Sequence, residues 1–93
     1  MLSNGQPVLC TTEFRGVFFG YIAECTKLPA EITLTNARNV LSWPANCDGF
    51  LGLASKGVTS SCRIGAKVAA LRLYQITSVA LVEENAVQTW EAL

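Results

Sequence analysis

Apolar and polar positions along this chain alternate in short runs punctuated by glycine, proline and polar groups, the rhythm of strands more than of helices. The first run, PVLCTT at 7–12, ends at Glu13-Phe14-Arg15-Gly16, and VFFGYIAEC follows at 17–25, rich in aromatic and β-branched residues. This reads as a hairpin of two strands joined by a short turn. In the second strand Val17, Phe19, Tyr21 and Ala23 alternate with Phe18, Gly20, Ile22 and Glu24. Both faces are largely apolar, as in a strand covered on both sides or covered by a partner, and Gly20 in its interior predicts a bulge or a close backbone approach. Residues 1–5 read as a frayed start.

Lys27-Leu28-Pro29 interrupts the pattern, and residues 31–43 resume it with Ile32 and Leu34, then Ala37, Val40 and Leu41. TNARNVLSW fits either a strand or a short helix capped by Thr35. Pro44, which disfavours helical geometry at Trp43, tips the choice to strand. A short apolar segment at 50–54, FLGLA, predicts a further strand, and 71–82 another with a bend near Tyr74. Residues 83–93 lack proline and glycine, open with two glutamates, and place Ala86, Trp90 and Leu93 on one face, which predicts a terminal helix. The fold class is therefore mainly β, a small antiparallel sheet or partly open barrel with one C-terminal α-helix, with α+β as the alternative. The 93 residues make a single domain, 1–93.

Composition sharpens this picture in two ways. The chain is 51% hydrophobic and 15% charged, against about 25% charged in ordinary domains, and a chain this short buries only roughly 60% of its unfolded surface. A homo-oligomer is expected on those grounds. The net charge is zero, yet it is segregated: −1 over residues 1–37, +4 over 38–72 and −3 over 73–93. A local basic focus suits a small anion better than long nucleic acid, which calls for an overall basic surplus. No apolar run approaches the ~20 residues of a membrane span, and MLSNGQPVLC carries neither a basic n-region nor a long apolar run, so no secretory signal is expected.

Catalytic chemistry finds little to work with. There is no histidine, Asp48 is the sole aspartate, and no carboxylate pair is marked by a motif. Cysteines at 10, 25, 47 and 62 contain no CxxC, so a zinc site would need four scattered thiols, and small buried hydrophobes is their simpler reading. Cys62 beside Arg63 could have a lowered thiol pKa but lacks a histidine base. No metal and no cofactor is expected.

The glycine-rich stretch 43–67 is the candidate site. Gly49, Gly52, Gly57 and Gly65 are interleaved with Ser55, Thr59, Ser60 and Ser61 and with the cations Lys56, Arg63 and Lys67. Hydroxyls donate to phosphate oxygens and an arginine holds two oxygens at once. The order is neither a P-loop nor GxGxxG, and a surface hairpin loop with solvated charges is the competing reading. Asn36, Arg38 and Asn39 form a second polar cluster, of interest if the fold brings it beside Arg63. Trp43, at an element's end next to the polar stretch, is either a stacking platform for a base or core packing.

FRGVFFGYI, LTNARNVLSW, GFLGLASKGVTSSCRIG and ITSVALVEENAVQTWEAL together resemble a family of small proteins of unknown function encoded by tailed bacteriophages and prophages. The likeness runs from about Cys10 to Ala92. It centres on Trp43, Gly49, Gly52-Leu53-Ala54, Gly57 and Cys62-Arg63-Ile64-Gly65. This chain has Gly57-Val58 and Cys62-Arg63 where the family often has Gly-Pro and Ser-Arg. The resemblance implies a phage origin and action in the host bacterial cytoplasm, with no assigned activity. Three functions follow as alternatives. One is a counter-defence protein that sequesters a host nucleotide second messenger, of the cyclic nucleotide or ADP-ribose type, without cleaving it. The second is a protein–protein element, either an inhibitor of a host protein or a small virion or assembly component. The third is an unrecognised hydrolase, which the missing catalytic groups disfavour.

Overall fold

The computed structural model describes residues 2–13, 16–24 and 30–93. Five strands, β1 (Pro7–Thr12), β2 (Val17–Glu24), β3 (Glu31–Ser42), β4 (Arg63–Tyr74) and β5 (Ile76–Leu81), form one open antiparallel sheet in the order β4-β3-β2-β1-β5. A 3-10 turn, Ala45–Cys47, and helix α1, Gly49–Ser55, connect β3 to β4, and helix α2, Glu84–Glu91, follows β5. The protein is mainly β with a C-terminal helix, as its periodicity predicts. Phe14 and Arg15 of the expected hairpin turn, Cys25 and the Lys27-Leu28-Pro29 break lie outside the described residues, as does Met1. The start of the chain is tied down by a turn: the Ser3 amide donates to the Gln6 side chain (2.7 Å) and the Gly5 amide to the Ile22 carbonyl (2.6 Å).

Alternation along the strands sends side chains to two separate cores. Val8 and Cys10 of β1, Ile22 of β2, Ile32, Leu34 and Ala37 of β3, Leu73 of β4 and Ile76 of β5 form one, to which neither helix contributes. All five strands supply it, so the sheet curls around these side chains. The corner is Gln75, in the left-handed region at φ 57°. Its amide donates to the Ala30 carbonyl (2.8 Å) and its carbonyl accepts from the Glu13 amide (3.0 Å), so one residue carries the chain from the β4 edge to the β5 edge. This is the bend expected near Tyr74. The opposite face carries Leu9, Val17, Phe19 and Val40, covered by Leu53 and Ala54 of α1 and by Ala86 and Trp90 of α2. Leu93, expected on that helical face, lies beyond α2 and is 50% exposed.

Two elements differ from the sequence pattern. Residues 50–54, expected as a strand, lie within α1. Asp48, left-handed at φ 61°, turns the chain into the helix, and Gly52 lies so close to the preceding turn that a Cβ there would sit 1.7 Å from the Cys47 carbonyl oxygen. Only a glycine permits that contact, and a five-residue apolar run is too short for its period to reveal it. β4 also begins eight residues before the expected 71, because Ala66, Ala69 and Ala70 have little strand propensity. Among the described residues no helix is long and apolar enough to cross a membrane.

Candidate functional site

The local irregularities of β3 build the most suggestive cleft. Ile32 and Leu34 face the curled core, and regular alternation would send position 36 and then Arg38 the same way. Instead Ala37 takes the buried place. Asn36 is the extra residue, left-handed at φ 49°, and the β2–β3 register shifts between Phe19/Arg38 and Tyr21/Thr35. Such a bulge reverses the phase of everything after it, so Arg38 moves with Val40 to the helix-covered face. On β2, Gly20 makes room, since a Cβ there would lie 2.9 Å from the Leu34 Cβ. This is the close approach that its place in the strand predicts.

The pairing then lays Phe19, Arg38 and Lys67 in one row across β2, β3 and β4. They line a cleft of about 270 Å³ with Tyr21, Asn36 and, from α2, Trp90 and Glu91. Trp90 anchors the helix above: its ring stacks on Phe19 (centroids 4.5 Å apart, planes 1° apart) and its Nε1–H donates to the Leu53 carbonyl (3.2 Å). Both rings are buried, so they shape the cleft and offer no open stacking face. Tyr21, half-buried and edge-on to Phe19 at 5.5 Å, is the accessible aromatic. Its hydroxyl donates to Glu91, and burial first, then that carboxylate, pushes its pKa up to about 12.

Arg38 and Lys67 face each other directly across the β3–β4 ladder, and like charges so placed destabilise a sheet. Among the described residues neither has an ion-pair partner. Two cations beside an asparagine amide can hold an anion, and Glu91, which accepts from the Tyr21 hydroxyl, has a second oxygen to accept from hydroxyl or amino groups. No sequence motif marks Lys67, Tyr21 and Glu91 as a set; only the bulge and the register bring them together.

The nine residues singled out from sequence separate into several places. Asn36 and Arg38 line this cleft. Ser55 and Lys56 line a shallower one of about 430 Å³ with Asp48, Leu51, Ala80, Leu81 and Glu83, where Lys56 is ion-paired to Asp48 and its pKa is raised by that bond. Trp43 is half-buried against the helix-side core. Thr59, Ser60 and Ser61 lie exposed on the turn before β4, and Arg63, exposed opposite Ser42, lines neither cleft. The backbone amides of that turn are mostly engaged within the protein. Val58 donates to Thr89 Oγ1 (2.9 Å), Thr59 to Cys62 Sγ (3.5 Å), Ser61 to Thr59 Oγ1 (3.3 Å) and Cys62 to the Thr59 carbonyl (3.0 Å). Gly57, at φ 95°, packs against Thr89, whose Oγ1 would lie 2.1 Å from an added Cβ. Gly57 and the Val58 amide thus close this turn upon α2.

No group of three or more metal-ligating side chains occurs among the described residues. No curated protein and no solved structure matches the chain. A family model described as a domain of unknown function, DUF6948, matches residues 5–90, and the chain belongs to that family.

Proposed function

We propose that the protein binds a phosphorylated nucleotide, of the cyclic nucleotide or ADP-ribose type, and sequesters it without cleaving it. The observation that carries this reading is the Arg38–Lys67 couple, without an ion-pair partner among the described residues, in a cleft that Glu91 also lines. A like-charge pair costs stability in the empty protein and gains when an anion bridges it. The cleft is just below the roughly 300–1,000 Å³ of sites that enclose a drug-sized ligand. It would take a phosphate and the adjoining ribose, with phosphate oxygens on Arg38 and Lys67 and ribose hydroxyls on Glu91, and leave the base to lean on Tyr21. Nothing beside the phosphate position is a histidine or a thiol, which favours holding over hydrolysis. The resemblance to phage-encoded proteins supplies the setting: capture of a host signalling nucleotide in the infected bacterial cytoplasm, as counter-defence.

A thermal-shift screen of the purified protein against cyclic di- and trinucleotides, ADP-ribose isomers and simple nucleotides tests this, with chromatography of each hit. A shift with the ligand recovered intact is expected. A shift with altered ligand would make the protein an enzyme, and no shift with any of them would remove the nucleotide reading.

One observation favours a second reading as a protein–protein element. β4 is a twelve-residue edge strand with Ala66, Val68, Ala69, Ala70 and Tyr74 exposed, and long apolar edges invite strand addition. It bears Arg63, Lys67 and Arg72 and no acid. Arg72 is ion-paired to Glu31 and Glu24, but Arg63 and Lys67 have no ion-pair partner among the described residues, so the edge suits an extended acidic segment of another protein.

A further inference from the structure

Cys47 and Cys62 are separated by fifteen positions in sequence but their Sγ atoms lie 3.6 Å apart. Cys47 ends the 3-10 turn before α1 and is buried, whereas Cys62, immediately before β4, is half-buried and reachable from solvent. The Thr59 amide and hydroxyl both approach Cys62 Sγ, at 3.5 Å and 3.8 Å. Cys10, by contrast, is fully buried in the curled core away from this pair. The two sulfurs are in contact, and a disulfide needs them at about 2.05 Å, a closure of about 1.6 Å.

We propose that Cys47 and Cys62 are a dithiol site that a low-molecular-weight disulfide such as oxidised glutathione converts, reversibly, to an intramolecular disulfide. The Cys62 thiolate attacks one sulfur of glutathione disulfide and expels one glutathione thiolate, leaving glutathione bonded to Cys62. The Cys47 thiolate then attacks the Cys62 sulfur and expels the second. Two protein thiols lose two protons and two electrons, and one glutathione disulfide becomes two glutathiones. Burial, with the Cys62 thiol and the Asp48 carboxylate, raises the Cys47 thiol against a lowering by Thr59. The bond would tie the entrance of α1 to the head of β4 and close the loop that carries Ser55 to Ser61. This site is independent of the nucleotide reading.

The test is incubation of the whole protein with oxidised glutathione, followed by alkylation, intact mass and peptide mapping. The expected product is two hydrogens lighter, joins the peptides of Cys47 and Cys62, has a Tm raised by on the order of 10 °C, and reverts with dithiothreitol. Cys47→Ala should stop at a stable glutathione adduct on Cys62. A wild-type product that retains glutathione, or one linked through Cys10 or Cys25, would overturn the proposal. So would an oxidised wild-type protein with an unchanged Tm, a result that does not depend on any variant folding.

Discussion

Asn36 shows how much one backbone angle decides. It occupies the left-handed region inside a strand, which asparagine tolerates better than most residues, and its bulge aims Arg38 at the cleft. Asn36→Val should cost about 1–2 kcal/mol in chemical denaturation, because a β-branched residue cannot adopt that φ without strain. Asn36→Gly should leave stability nearly unchanged yet shrink a nucleotide-induced Tm shift by removing the amide from the site. The sequence offers the asparagine but no sign of its φ; turn asparagines look the same. Cys10 gives a second test. It is fully buried, and burial raises its thiol from 9.0 to about 12. The folded state then holds its proton where the unfolded chain releases it, so stability is full below pH 9 and falls as pH rises from 9 to 12. Unfolding free energies measured across that window should fall less steeply in Cys10→Val than in the wild type.

At the scale of elements, strands were legible wherever β-branched and aromatic residues concentrate, as in β1, β2, early β3 and β5. Where alanine and glycine dominate, tertiary contact decided instead. β4 takes its form from the ladder to β3, and α1 from the fit of Gly52 against Cys47. Gly52→Ala should therefore destabilise by at least about 2 kcal/mol in urea unfolding, since the clash is with a backbone oxygen that cannot swing aside. Good helix propensity for alanine would predict the opposite sign if only the helix mattered. The terminal helix was legible from Ala86 and Trp90, both fully buried. That Glu91, one residue on, faces the Arg38–Lys67 row was not, because the sequence does not say where α2 lands on the sheet.

Across the whole molecule, the apolar composition is largely accounted for within one chain: both faces of the sheet are buried, one by the helices and one by its own curl. What the composition leaves exposed is the β4 edge, with Val68 and Tyr74, and Leu41, Leu51, Leu81 and Leu93. The positive centre of the charge map, residues 38–72, likewise contains both cations of the cleft, Arg38 and Lys67, although the hydroxyl-rich turn within it points elsewhere. If the proposed site is the right one, the segregation of charge points to it and the glycine-serine motif does not. The segregation marked a region of the chain, and the β3–β4 register picked the residues.

The claim that Arg38 and Lys67 form an anion site is tested most directly by the unfolding of wild type, Lys67→Glu and Arg63→Ala with and without the best nucleotide from the screen. Lys67→Glu replaces a like-charge pair by an opposite one, so without ligand it should be about 0.2–1 kcal/mol more stable than wild type. At a hundredfold excess over the dissociation constant the wild type and Arg63→Ala should both gain about 2.7 kcal/mol, and Lys67→Glu should gain nothing. A Lys67→Glu protein that keeps the full ligand-dependent gain, or an Arg63→Ala protein that folds normally and loses it, would contradict the account.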